Sequence, residues 1–269
     1  MRQECAYTTI EYYPKSFNEE SINVAFVFHN ITKGILCFFK AKNKKRILSF
    51  DDEMTKEEYE LVMNSFEKFL KKPFNKNIFN YEYSPLVNDR KYLESVNNNF
   101  LNEFRFSKIS YIQTEDAVSD MNDLLKLKLY YDYDKNERPK SQEIEKIIKK
   151  NIKQQLNSNN INYVMDYNVK GIGYGEPLKV DFKVGEKYIK ILDSKLDNYT
   201  LKINTAKVWA YNKKYFDQGK KELIFAIANE PITEQEKTYI KILVESKATI
   251  FYIDDNISSL FAKEKTSLI

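Results

Sequence analysis

Residues 180–195 read VDFKVGEKYIKILDSK. Two apolar runs meet at Gly185–Glu186, and a Gly-containing turn between runs rich in β-branched and aromatic residues predicts a β-hairpin. Charge interrupts both strands. Asp181 lies inside the first, Asp193 near the end of the second, and Lys195 two residues further on. Residues i and i+2 of a strand point to the same face. Asp193 and Lys195 therefore share a face, and the neighbouring strand can bring Asp181 beside them. Two carboxylates and an amine in apolar strands are costly unless they serve each other or a metal ion.

The surroundings of the hairpin alternate in period. Ser141 is expected to cap a helix, SQEIEKIIKKNIKQQL, with Ile144, Ile147, Ile148, Ile152 and Leu156 on one side. A strand-like run INYVMDYNV precedes the hairpin. A helix is expected at about 203–218, then the strand KELIFAIA, a helix opened by the capping box Thr233/Glu236, and a last strand ATIFYIDD. The order is α-β-β-β-α-β-α-β.

The first half has another rhythm. Residues 5–13, 22–29 and 34–41 are rich in aromatic and β-branched residues and predict an antiparallel meander. Thr55 and Glu58 form a capping box ahead of Tyr59, Val62, Met63, Phe66, Phe69 and Leu70, an apolar stripe at helical spacing. Residues 86–105 predict a second helix, 107–113 a strand, and Glu115 onward a third helix. The polar segment 132–141 is the best boundary. It divides the chain into an α+β domain, residues 1–135, for recognition or oligomerisation, and a second domain, residues 136–269.

Composition narrows the chemistry. The chain has 269 residues, with 42% apolar and 30% charged, enough for two modest cores. No apolar stretch approaches the roughly 18 residues of a membrane span, and MRQECAYTTIEYYP lacks a signal-peptide h-region. A cytoplasmic protein is expected, with Cys5 and Cys37 as buried thiols. The lone histidine, His29, at the end of FVFH, reads as a turn or edge residue. One histidine and two cysteines leave no zinc site. A catalytic metal would be held by carboxylates, which selects Mg²⁺ or Mn²⁺. The basic excess lies in the second half: residues 139–269 carry net +5 against −1 for the first 138. That balance suits a polyanionic partner.

Phosphodiester hydrolysis uses such a carboxylate pair to hold a divalent ion, which stabilises charge on the phosphate and lowers the pKa of a bound water. A lysine beside that water can orient it or take its proton. The run VDFKVGEKYIKILDSK, preceded by a helix and a strand and followed by helix-strand-helix-strand, resembles the core of the PD-(D/E)XK nuclease superfamily over roughly residues 141–255. The resemblance implies an α/β restriction-endonuclease-like domain. It makes Asp181 the first acid, Asp193 the second and Lys195 the triplet lysine, with Asp181 and Asp193 on the metal. A further acid from the first core helix would be Glu143 or Glu145. The triplet occurs four times in the chain, and a competing register takes Asp166 with Asp181 and Lys183. Asp193 stands where glutamate is commoner, and Val180 where the family motif has proline.

Other features bear on partners. Gly171, Gly173 and Gly175 read as a strand-end turn, since no GK[ST] follows, and no nucleotide cofactor is expected. Lys149 and Lys153 lie on a basic helix face. Lys207, Lys213 and Lys214 interleave with Trp209, Tyr211 and Tyr215, as nucleic-acid contact would use them. Separately, residues 7–30, YTTIEYYPKSFNEESINVAFVFHN, resemble the start of an uncharacterised bacterial and phage family. The shared positions are Glu20, Asn23 and Ala25, the last with alanine where that family has glycine. Two functions follow, with a nucleic-acid-binding module that does not cleave as a weaker third. One is a Mg²⁺- or Mn²⁺-dependent nuclease acting on DNA, from a phage, mobile element or defence system. The other is an inert nuclease-like scaffold that binds a protein partner, such as a phage anti-defence protein acting on a host immune complex. A homo-oligomer is compatible with both, and no membrane partner is expected.

Overall fold

The computed structural model describes residues 2–14, 21–51, 53–71, 88–97, 103–169, 178–194, 199–218, 221–228, 231 and 233–261. The chain divides into two compact units, Met1–Pro139 and Lys140–Ile269. The first is built on an antiparallel sheet and the second on a mixed one.

In the first unit, β1 (Gln3–Tyr12), β2 (Ile22–Asn30) and β3 (Ile35–Lys40) form the expected meander in the order β3-β2-β1. The far edge of β1 takes two short strands, β4 (Phe104–Phe106) and β5 (Ser110–Thr114). Ser107 stitches the break between them. Its hydroxyl takes the amide hydrogen of Thr9 at 3.0 Å, and its own amide donates to the Thr9 carbonyl at 2.9 Å. Both faces of β2 are covered, so its residues from Val24 to Asn30 are buried. On one face, α2 (Lys56–Lys71) packs Tyr59, Met63, Phe66 and Leu70 against Ala6, Ile10 and Val24. Thr55 and Glu58 cap this helix reciprocally. On the other, α4 (Ala117–Lys128) runs against β2 and β1.

Several expectations change here. A short helix, α1 (Lys44–Phe50), follows the meander unannounced, because one buried residue, Ile47, gives no periodicity. The helix expected over 86–105 is only α3 (Tyr92–Asn97) among the described residues, and Phe104-Arg105-Phe106 alternates as a strand. His29 is no edge residue. It lies in the central strand β2, fully buried, with its ring 5.5 Å from that of Tyr92. Although it is the last residue but one of β2, it is flanked by Ala6 of β1 on one side and Leu36 of β3 on the other. Asn23 ties its strand to α4 by donating to the Lys128 carbonyl at 3.0 Å, while Glu20 lies outside the described residues. No disulfide joins Cys5 and Cys37. Burial, with the negative charges of Asp120 and Glu4, pushes the Cys5 thiol up to about 12.

In the second unit, α5 (Ser141–Ser158) leads into β6 (Val164–Val169), β7 (Leu178–Val184) and β8 (Lys187–Ile191), which pair antiparallel in sequence. Then α6 (Tyr199–Gln218), β9 (Glu222–Ile227), α7 (Glu234–Glu245) and β10 (Thr249–Tyr252) add two parallel strands, giving the order β10-β9-β8-β7-β6. Parallel neighbours need crossovers, and α6 and α7 supply them. Tyr188, Phe225, Ile227, Ala206, Phe216 and Tyr239 fill one core. Ile144, Ile148, Ile152 and Leu156 of α5 are fully buried.

One polar residue closes the end of this unit. Buried Gln155 donates to the Ile253 carbonyl at 2.8 Å, and its side-chain oxygen accepts the Ile257 amide hydrogen at 3.0 Å. Leucine fits the volume but leaves both backbone groups unpaired, at about 1–3 kcal/mol each. Gln155→Leu is therefore expected to cost about 2–4 kcal/mol in urea unfolding. Hydrogen exchange should show lost protection at the Ile257 amide.

Candidate functional site

The β7–β8 ladder runs from Val184↔Lys187 to Phe182↔Ile189 and stops there. At the next position the strands part, and the Asp181 carboxylate fills the gap. Its Oδ2 accepts the Ile191 amide hydrogen at 2.8 Å and the Lys190 ammonium at 3.0 Å. Across β7, within the pairs Met165↔Phe182 and Tyr167↔Val180, Asp166 has φ +51. That left-handed region is strained for most residues and best tolerated by Asp, Asn and Gly. A kink on one side of Asp181 and a fork on the other give its side chain a place the ladder would otherwise close.

Asp193 lies two residues beyond Ile191, in the segment after β8, not within the strand as its apolar neighbours indicate. Its Oδ2 accepts from the hydroxyl of Ser141 and from the ammonium of Lys202, the fourth residue of α6. The pair is enclosed: 2% of the Asp193 side chain and 14% of Lys202 are exposed. Ser141 thus does not cap α5 with its side chain. Its hydroxyl turns to Asp193, and Glu143 performs the capping instead by accepting the Lys140 amide hydrogen at 2.9 Å.

With Glu143 used at the helix start, Glu145 is the acid of α5 on which the charges of both aspartates act. Much of the residue faces solvent, yet desolvation of its carboxyl end raises its pKa above the ordinary glutamate value. The ammonium groups of Lys190 and Lys202 oppose that shift, and the charges of Asp193 and Asp181 add to it. Burial first, then the charges of Asp193 and Glu145, likewise hold the Tyr239 hydroxyl of α7 above its ordinary range. Three carboxylates from three elements therefore share one electrostatic neighbourhood, with Lys190 and Lys202 among them. Lys149 joins at the edge, 2.8 Å from Asp166 and 3.9 Å from Asp181.

Lys195 lies outside the described residues, as do Gly171, Gly173 and Gly175. In the competing register, Asp166 and Asp181 share the Lys149 ammonium, at 2.8 and 3.9 Å, and Asp166 also meets Lys179, whereas the Lys183 ammonium sits 4.7 Å over the Tyr167 ring, turned to the aromatics. Of the lysines expected at nucleic acid, Lys153 and Lys207 are exposed, and Lys214 stands 3.4 Å over the Tyr211 ring. Lys213 is buried and paired with Asp217 at 2.6 Å, so it is no surface contact. Trp209 is half-buried, edge-on to Phe225, with Lys190 5.5 Å over its ring.

Sequence reading missed Lys190, Lys202 and Ser141. Lys190 carried a signal, standing opposite Asp181 in a hairpin whose turn is fixed at Gly185. Lys202 and Ser141 carried none, because only the crossover and the return of α5 bring them to Asp193.

Among the described residues no group of three or more His, Cys, Asp or Glu side chains is disposed to hold a metal ion. Two aspartates are hard oxygen donors, the kind that Mg²⁺ takes with water and phosphate completing its shell. Asp181 carries the Lys190 ammonium and Asp193 the Lys202 ammonium. No protein-family model, curated protein or solved structure matches the chain.

Two outcomes test the electrostatics. Removing one partner of a buried ion pair costs about 3–5 kcal/mol, whereas removing both costs far less. Lys202→Met should destabilise by about that amount in chemical denaturation, and adding Asp193→Asn should recover most of it. A carboxyl whose pKa is raised on folding lowers stability as pH climbs from the ordinary glutamate range through the raised value, and has no effect below it. Glu145→Gln should therefore raise the melting temperature at pH 7 and leave it unchanged near pH 3.

Proposed function

We propose that residues 140–269 form a restriction-endonuclease-like unit that hydrolyses phosphodiester bonds in DNA with Mg²⁺ or Mn²⁺. The observation that carries this reading is the Asp181 carboxylate held at the fork of β7 and β8, with Asp193 two residues beyond the Ile191 amide that it accepts from and both charges acting on Glu145 of α5. Three antiparallel strands followed by a helix and a parallel strand support the same reading, as does the resemblance of residues 141–255 to the PD-(D/E)XK superfamily.

Asp181 and Asp193 would hold the ion, which supplies a polarised phosphate and a more acidic bound water. The chain's own groups do the rest. The Ile191 amide fixes the Asp181 carboxylate in one orientation, and Ser141 does so for Asp193. Lys149 and Lys190 place positive charge beside Asp181, where a phosphate would come. Glu145, whose pKa burial raises, keeps a proton more readily than an ordinary glutamate and is the acid of the three best suited to exchange one. Lys195 is the amine that the resemblance assigns to the attacking water.

A second reading has its own observation. Both aspartates are already neutralised by lysines, and Asp193 is enclosed. A scaffold that needs no chemistry and binds a protein partner would keep such pairs for folding alone.

The full chain incubated with supercoiled and linear DNA and Mg²⁺ or Mn²⁺ separates the two. A nuclease cleaves in a metal-dependent way, and Asp181→Asn or Lys195→Ala lowers the rate about 10²–10⁴-fold with the fold retained by circular dichroism. Absence of cleavage, with biological activity preserved in Asp193→Asn/Lys195→Ala, supports the scaffold.

A further inference from the structure

We propose that Lys202 is an internal competitor of the divalent ion. It holds Asp193 in place as a built-in counter-cation and must surrender the carboxylate before a metal can be bound. The inference rests on Asp181 and Asp193 being the metal ligands.

The argument is one of occupancy. Oδ2 of Asp193 accepts both the Ser141 hydroxyl and the Lys202 ammonium. A divalent ion on either oxygen of that carboxylate would stand close to the ammonium, and two cations so near in a poorly solvated pocket repel strongly. Enclosure raises the stake. Asp193 and Lys202 expose 2% and 14% of their side chains, against 16% for Asp181 and 23% for Lys190. Lys202, not Lys190, is therefore the tighter lock.

The lock can open with the backbone in place when a metal ion takes over the charge on Asp193. Lys202 lies near the start of α6, whose packing is carried further along by Ala206, Trp209 and Phe216. A lysine stem of four methylenes lets the ammonium swing to water while its backbone stays still. Ser141, at the first residue of α5, remains to orient Asp193 when the ammonium leaves. Lys202 thus raises the free metal concentration that the site requires.

The test is Mn²⁺ binding to the full chain, read by the electron paramagnetic resonance signal of the free ion. Lys202→Met should bind at least tenfold more tightly than the wild type, Lys202→Arg should stay near it, and Asp193→Asn should bind at least tenfold more weakly. Equal or weaker binding by Lys202→Met, with binding lost in Asp193→Asn, overturns the competitor and leaves the metal reading intact. No Mn²⁺ binding by any form overturns both. Should Lys202→Met fail to fold, the wild type decides. Acetylation of Lys202, followed by mass spectrometry, should rise at least threefold on adding saturating Mn²⁺ while that of Lys183 stays level. An unchanged Lys202 rate with Mn²⁺ bound overturns the proposal.

Discussion

Where β7 and β8 part, the chain owes a hydrogen-bond acceptor to the Ile191 amide, and the Asp181 carboxylate supplies it at 2.8 Å. A buried backbone donor left unpaired costs on the order of 1–3 kcal/mol. Without that acceptor the strands would have to stay zipped past Phe182↔Ile189. The fork is what gives Asp181 an orientation, sends β8 on alongside β9 as far as Ile191↔Ala226, and delivers Asp193 beyond the end of the strand. The β6–β7 register is interrupted at the same place, where Asp166 has φ +51.

Charge balance follows from that geometry. Asp181 and Asp193 sit where water is scarce, and a buried carboxylate must be paired or protonated. The chain pairs them, with Lys190 from the same hairpin and Lys202 from the following helix. Glu145 has no such dedicated partner in the described geometry, and its proton affinity rises instead. The three acids are therefore inequivalent although their intrinsic chemistry is similar. Such divergence between neighbouring acids is how proteins obtain one group that stays charged and another that carries a proton.

The first unit obeys a different logic. Its sheet is covered on both faces, so even His29 and Thr8 disappear into it, and its aromatic residues pack. Its surface aromatics are mostly met by arginine: Arg46 and Arg138 over Tyr131, Arg90 over Tyr111, Arg105 over Tyr13. The contacts of Arg90 and Arg105 hold loops to the sheet, and no group of acids, histidines and cysteines suited to a metal ion accompanies them among the described residues.

Much of this was legible in residue order. Period-two runs marked the meander and the hairpin, and the capping boxes at Thr55 and Thr233 marked two helix starts, because those signals are local and their partners lie within four residues. Asp181 and Asp193 stood out for a similar reason, as charge where an apolar strand should continue. Tertiary structure alone decided the rest. It spent Glu143 on the helix start and left Glu145 for the site, turned Ser141 from its helix to Asp193, sank Lys213 beside Asp217, and brought Lys202 across a crossover to the acid it neutralises. The physical reason is that a side chain's partner in sequence is set by periodicity, whereas the counter-charge of a buried group is set by whichever element packs over it.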